Sequence, residues 1–389
     1  MNGPLNNLKI LDFSTLLPGP YATMLLADMG ADVIRVESPT RIDMLKEAQP
    51  KYGEYSFAHL TINRNKRSLA LDLKQSATQE VIFKLIQEYD ILIEQFRPGV
   101  MDKLGLGYQA LKAINPKLIY CSLTGYGQTG SLKNRAGHDI NFLALSGLAS
   151  YSGRKQSGPS LGATQIADLA GGSHNAVMSI LAAEISRQNS GLGQHLDVSI
   201  CDGAFSLNTL FAASALAGGE DPQPEDQLLN GGSYYDYYQT LDDRYLSVGA
   251  LEPKFAKVFF ETIGHPEWMI KIAQISEQKN LKKGIASVIK KHTLQHWQEL
   301  FSQVDACVEP VMTINEAAEL SLFKERNMII ELKLDQHKQV KQIAPAVKFS
   351  ENREDFFVGK TLGEDSLNIL QKLGYSENEI KNIINPANG

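Results

Sequence analysis

The run Leu8-Lys9-Ile10-Leu11-Asp12-Phe13, the turn from Ser14 to Pro20, residues 21–29 and Asp32-Val33-Ile34-Arg35-Val36-Glu37 together set the fold class. An apolar run of strand length leads through a turn into a helical span stopped by Gly30, then into a second strand-like run. This is a βαβ unit closed by an acid, Glu37, as in dinucleotide-binding folds. The turn, however, reads Leu17-Pro18-Gly19-Pro20 and lacks the three glycines through which a pyrophosphate approaches the backbone. The expectation is therefore a Rossmann-like α/β scaffold without nicotinamide chemistry.

Working outward, residues 68–71, 91–94, 118–122 and 194–199 read as strands. Residues 76–88, 101–104, 108–114 and 166–187 read as helices, and 200–216 as one buried helix. Strands alternating with helices predict a mostly parallel sheet covered on both faces. Acids and prolines crowd into residues 218–232, which end in Asn230-Gly231-Gly232 and read as an inter-domain connection. The predicted organisation is a large domain over 1–217, a linker over 218–232, a smaller α+β domain over 233–327, and a return to the large domain over 328–389. Two capping boxes, Thr361 with Glu364 and Ser376 with Glu379, announce short helices near the end.

Composition narrows the class. The chain has 389 residues, 43% apolar and 21% charged, enough for two domains of an ordinary globular protein. A net charge of −6 argues against nucleic acid as a partner. The three cysteines, Cys121, Cys201 and Cys307, are odd in number and widely spaced, which suits a reducing, cytoplasmic setting. Residues 1–7 show no secretory pattern, and the most apolar window, 203–218, is broken by Ser206, Asn208, Thr209 and Ser214, so a buried or dimer-facing helix is expected there rather than a membrane span.

Two proton-transfer groups stand out. His138, in Gly137-His138-Asp139-Ile140-Asn141-Phe142, follows a glycine-rich polar loop and precedes an apolar run, which places it at the mouth of a helix. Asp168, in Ile166-Ala167-Asp168-Leu169-Ala170-Gly171-Gly172, sits ahead of a long amphipathic stretch, near another helix start where negative charge is favoured. The same residues admit plainer readings, an aspartate cap and a solvated loop histidine, and their spacing in the chain does not bring them together.

In order and number, several further motifs accompany these. They are Leu16-Leu17-Pro18-Gly19-Pro20, Leu26-Ala27-Asp28-Met29-Gly30-Ala31-Asp32, Asn65-Lys66-Arg67-Ser68 with Leu71-Asp72-Leu73-Lys74, Arg97-Pro98-Gly99-Val100, Gly249-Ala250-Leu251-Glu252-Pro253 and Asp305-Ala306-Cys307-Val308. Over nearly the whole chain these resemble the family III coenzyme A transferases (CaiB/BaiF), and within them the α-methylacyl-CoA racemases most. The resemblance implies an acyl-CoA thioester as substrate, a place in lipid metabolism, an interlocked homodimer, and no cofactor beyond the coenzyme A of the substrate. It makes His138 and Asp168 the proton-transfer pair, with Glu252 a supporting acid from the small domain. It places Arg64, Lys66, Arg67, Leu71, Asp72, Leu73, Lys74, Arg97, Gly137, Asp139, Ile140, Asn141 and Phe142 around the coenzyme A ester. Where relatives often carry an arginine after the second strand this chain has Ser38, leaving Arg41 as a replacement for the adenine contact.

Racemisation next to a thioester needs two bases on opposite faces of the carbon, and an imidazole with a half-buried carboxyl meets that need. The thioester oxygen needs donors, which Gly171-Gly172 could supply, although a glycine pair serves close helix packing equally well. The expected activity is a 2-methylacyl-CoA racemase or epimerase, an isomerase. The alternative is coenzyme A transfer through an aspartyl intermediate at Asp168, and a third, non-enzymatic reading is a CoA-binding regulatory subunit.

Overall fold

The computed structural model describes residues 3–351 and 353–384. The chain forms two compact units, the first from residues up to Ser146, Gly162–Leu207 and the chain from Asn327 onward, the second from Gly147–Leu161 and Asn208–Arg326. At the centre of the first unit six strands pair in parallel throughout, in the order Lys66–Ala70, Asp32–Glu37, Lys9–Asp12, Ile91–Glu94, Ile119–Thr124, His195–Ser199. Counted along the chain this is the 3-2-1-4-5-6 order of doubly wound sheets. The inner strands read as apolar runs because both faces are covered; Ile10, Leu11, Ile91, Leu92, Ile93, Ile119 and Cys121 are completely buried. Among the described residues no helix is long and apolar enough to cross a membrane.

The helix Pro18–Asp28 follows the first strand at the point where strand order reverses, the usual nucleotide crevice of this topology. Its first turn has no N–H to spare. Pro18 and Pro20 carry none, the Gly19 N–H donates to Gln95 Oε1 at 3.0 Å, and the Tyr21 N–H donates to the Leu17 carbonyl. A Cβ at Gly19 would lie 2.2 Å from that of Ser14, so only glycine fits. The departure from the dinucleotide fingerprint is thus a closed anion site.

Charged side chains are buried beneath this helix. Asp12, fully buried, accepts from the Ser14 N–H at 2.8 Å, from the Ser14 and Thr23 hydroxyls, and from Lys66 Nζ at 3.4 Å. Lys66 Nζ also donates to the Pro20 carbonyl at 2.8 Å and to Asn63 Oδ1 at 3.0 Å, and burial pulls its ammonium down to about 8. Arg64 forks onto Asp28 at 2.6 and 2.9 Å and reaches the Ile343 carbonyl at 2.7 Å. The outer strand Lys66–Ala70 is covered by the returning chain: the Ser68 and Ala70 N–H groups donate to Asp365 and to the Ser366 hydroxyl.

The second unit carries the antiparallel sheet Val308–Pro310, Tyr245–Val248, Asp236–Gln239. Helices Pro253–Thr262, Gln278–Ile289 and Leu294–Phe301 close over a core of Tyr234, Tyr238, Phe259, Phe260, Trp297 and Phe301. Several expected boundaries differ from the structure: residues 147–161 and 208–217, expected in the large domain, belong to this unit. Residues 218–232 are part of this unit rather than a free linker, because Glu225 accepts from Arg154 at 3.2 Å and from the Lys155 N–H at 3.0 Å, while Arg154 and Lys282 converge on Asp236. The expected helix over 200–216 is two, Ile200–Ser206 and Thr209–Leu216, and the second has no buried residue. At the C-terminus the box of Ser376 and Glu379 leads into helix Glu377–Ile384, whereas that of Thr361 and Glu364 closes a turn ahead of helix Ser366–Lys372.

Replacing Lys66 by methionine strands the Asp12 carboxylate, and denaturant unfolding should show a loss of about 3 kcal/mol or more. Combining it with Asp12→Asn should recover part of that loss, and purely additive losses would contradict the pairing.

Candidate active site

The strand Ile119–Thr124 delivers the chain into the glycine-rich loop, whose position is set by Phe142. That ring is 3% exposed and lies against two glycines: a Cβ at either Gly125 or Gly137 would come within 2.7 Å of it. Tyr126 meets the same ring edge-on at 5.2 Å. The role of Gly137 and Phe142 is therefore to seat the loop, and His138 emerges from it as the N-cap of helix Asp139–Leu145. The His138 N–H donates to Asn141 Oδ1 at 3.0 Å, which fixes the backbone and leaves the imidazole side exposed.

Asp168 stands in the first turn of a π-helix, Ala167–His174, which runs directly into α-helix Asn175–Ser190. Its N–H donates to Asp139 Oδ1 at 3.0 Å. Burial pushes the Asp168 carboxyl up to about 6; the neighbouring Asp139 charge adds to the rise and the nearby His138 opposes it. A helix start favours a carboxylate by about 0.3–1 kcal/mol. The rise at Asp168 runs the other way, so desolvation, helped by the Asp139 charge, wins over the dipole. His138, Asp139 and Asp168 thus meet in one electrostatic environment within the first unit, which their separation along the chain did not reveal.

The glycine pair resolves to packing. A Cβ on Gly203 would lie 2.0 Å from the Gly171 carbonyl oxygen, one on Gly171 2.8 Å from the Ala204 nitrogen, and one on Gly172 3.0 Å from Ile200. Glu252, in the second unit, is the exposed N-cap of helix Pro253–Thr262 and raises the Cys307 thiol, after burial.

The basic set divides. Arg64 and Lys66, 2% and 1% exposed, are not available to a phosphate, because their donors are committed to Asp28, Asp12 and backbone carbonyls. Arg67 is held by Asp32 at 2.7 Å and by Tyr89. Leu71 is core and its N–H completes the strand edge on the Glu37 carbonyl, while Asp72 caps the Lys74 N–H at 3.2 Å and Leu73 is half-buried. Lys74 and Arg97 are exposed and have no ion pair among the described residues. Arg35 lies buried between Glu37 and Asp43, so Arg41, exposed with its N–H on Ser38 Oγ at 3.1 Å, is the arginine of that loop facing solvent. Ile140 and Leu145 on the His138 helix and Ile166 beside Asp168 are 55%, 53% and 42% exposed. Ser173 and Asn175, which hydrogen-bond the carbonyls of the Asp168 turn, carry no signal in the sequence.

The family model described as CoA-transferase family III matches residues 5–365. The chain is 34% identical over 379 residues to alpha-methylacyl-CoA racemase of Homo sapiens, covering 97% of this chain and 95% of that protein. It is 32% identical over 340 residues to acetyl-CoA:oxalate CoA-transferase of Acetobacter aceti, covering 84% and 86%. A CAIB/BAIF family protein from Brucella suis superposes with a TM-score of 0.83 at 27% identity, covering 96% of this chain and all of that one. By sequence and by fold, the chain belongs to CoA-transferase family III.

Proposed function

We propose that this chain inverts the configuration at the carbon next to an acyl-CoA thioester, as a 2-methylacyl-CoA racemase or epimerase working through His138 and Asp168. The observation that carries the reading is the Asp168 N–H on Asp139 Oδ1 at 3.0 Å, which brings Asp168 to the residue beside His138, and burial there raises the Asp168 carboxyl to about 6. In one direction the Asp168 carboxylate removes the α-proton, the electron pair moves onto the thioester oxygen as an enolate, and the His138 imidazolium protonates the opposite face. In the other direction the roles exchange. A carboxyl with the usual affinity would be a poor donor at neutral pH, and burial corrects that. Ile140, Leu145 and Ile166 suit an apolar acyl chain, with Lys74, Arg97 and Arg41 available to the coenzyme A phosphates and adenine.

Coenzyme A transfer through a covalent Asp168 remains the second reading, favoured by the similarity to acetyl-CoA:oxalate CoA-transferase. A neutral carboxyl is a weak nucleophile, which weighs against it near and below pH 6. A homodimer in a cytoplasmic setting completes the proposal. Helix Thr209–Leu216 exposes Leu210 by 68% and Leu216 by 78%, an apolar face suited to a partner chain. The three thiols are unpaired. Sedimentation should return twice the 42.9 kDa chain mass, and a monomer would overturn the dimer.

In deuterated water the enzyme should exchange the α-hydrogen of both enantiomers of a 2-methylacyl-CoA. His138→Ala should keep exchange only for the enantiomer deprotonated by Asp168, and the double variant with Asp168→Asn should lose both. Absence of exchange together with a hydroxylamine-sensitive mass increase on Asp168 would replace racemisation by transfer.

Because the active pair holds one proton whichever enantiomer binds, kcat/KM for the two directions should share a single pH profile. Its acid limb should rise through about pH 6, as the second proton leaves Asp168. The stability sign is opposite. The folded state binds this proton more tightly than the unfolded one, so folding stability falls as pH rises from about 4 to about 6, and Asp168→Asn should remove that fall.

A further inference from the structure

We propose that Ser173 and Asn175 are positioning residues for Asp168, holding its turn in the wide π register and so aiming its carboxyl toward the substrate beside His138. This rests on the reading of Asp168 as a proton-transfer group. An eight-residue π-helix is unusual, since such turns mostly occur singly within α-helices and relax to the tighter register unless something prevents it. Three contacts prevent it here. The Ser173 hydroxyl, wholly buried, lies 3.0 Å from the Asp168 carbonyl oxygen and 2.7 Å from that of Pro18, and donates between them. Asn175 Nδ2 donates to the Gly171 carbonyl at 2.8 Å. Gly203 leaves the space into which both turn: a Cβ there would sit 2.0 Å from the Gly171 oxygen and 2.7 Å from Asn175 Nδ2.

The consequence for Asp168 is that both of its peptide groups are held. Its N–H is directed at Asp139 and its carbonyl at Ser173, so only side-chain rotation is left to it. In the tighter α register the Asp168 carbonyl would take the Gly172 N–H, and the Ser173 hydroxyl would lose one acceptor. Rotation of the turn would then carry the carboxyl away from Asp139 and out of its desolvated position. Neither side chain touches the substrate in this account; both act through Asp168.

The test follows the Asp168 carboxyl by carbon-13 NMR in aspartate-labelled protein, assigned by difference against Asp168→Asn, alongside α-hydrogen exchange. Ser173→Ala and Asn175→Ala should each lower its titration midpoint from about 6 toward about 4. Each should slow exchange of the Asp168-dependent enantiomer by about tenfold or more, with KM within about twofold and the His138-dependent exchange retained. Ser179→Ala, whose hydroxyl caps the Ala176 carbonyl further along the same helix, should change neither. An unmoved midpoint in a folded variant, or equal loss from both enantiomers, would overturn the proposal. If Ser173→Ala does not fold, Asn175→Ala decides. If the unmodified enzyme exchanges no α-hydrogen, the racemase reading fails while the titration midpoint still decides the positioning claim.

Discussion

The carboxylate of Asp12 is the point from which the first unit is tied together. It ends the first strand, accepts from the loop at Ser14, from the following helix at Thr23 and from the outer strand at Lys66, and has no access to water. A buried charge is tolerated only with partners on most sides, so strand, helix and neighbouring strand must all be in place together. Arg64 with Asp28 repeats the device one helix length away and extends it to the returning hairpin at Ile343. The result is a rigid frame under the crevice that other doubly wound proteins leave open for a nucleotide. Here two prolines and the Gln95 side chain leave the first turn of helix Pro18–Asp28 no free N–H, and the π-helix packs against that turn through Ser173 and the Pro18 carbonyl.

There the frame sets the character of the carboxylate. An aspartate at a helix start is ordinarily more acidic than free aspartate, yet Asp168 is less so, because its burial and the Asp139 charge outweigh the dipole and the imidazole. The Asp168 backbone is held on both sides, by Asp139 and by Ser173, which keeps the carboxyl in its desolvated place. The imidazole, by contrast, stands exposed on a helix cap. Asp168 is half-buried and His138 solvated, so the two side chains meet water very differently.

The mostly parallel sheet and its strands were legible because local signals coincide there: apolar runs of strand length, Gly30 as a helix stop and turn-rich breaks between them; the strand order has no such local signal. His138 and Asp168 were legible as candidates for the same reason, each standing at an element boundary. The fate of Arg64 and Lys66 was not. Their acids, Asp12 and Asp28, look in the sequence like isolated polar residues in apolar segments, and the pairing spans 54 positions for one and 36 for the other. A lone acid in an otherwise apolar strand was the available clue that a nearby cation was already engaged. The π register left no mark in the sequence, since the close approach of Gly203 to Gly171 beside it joins two glycines thirty-two positions apart that read locally as a loose helix and a packing site.

The first unit is assembled from both ends of the chain, with the stretch from Asn327 onward sealing the strand Lys66–Ala70 and joining Arg64 through Ile343. A ribosome making this protein therefore extrudes the whole of the intervening unit before that sheet margin can be shut. During that interval the amides of Ser68 and Ala70 lack the acceptors that Asp365 and Ser366 later supply, so closing the sheet margin is a late step imposed by the topology.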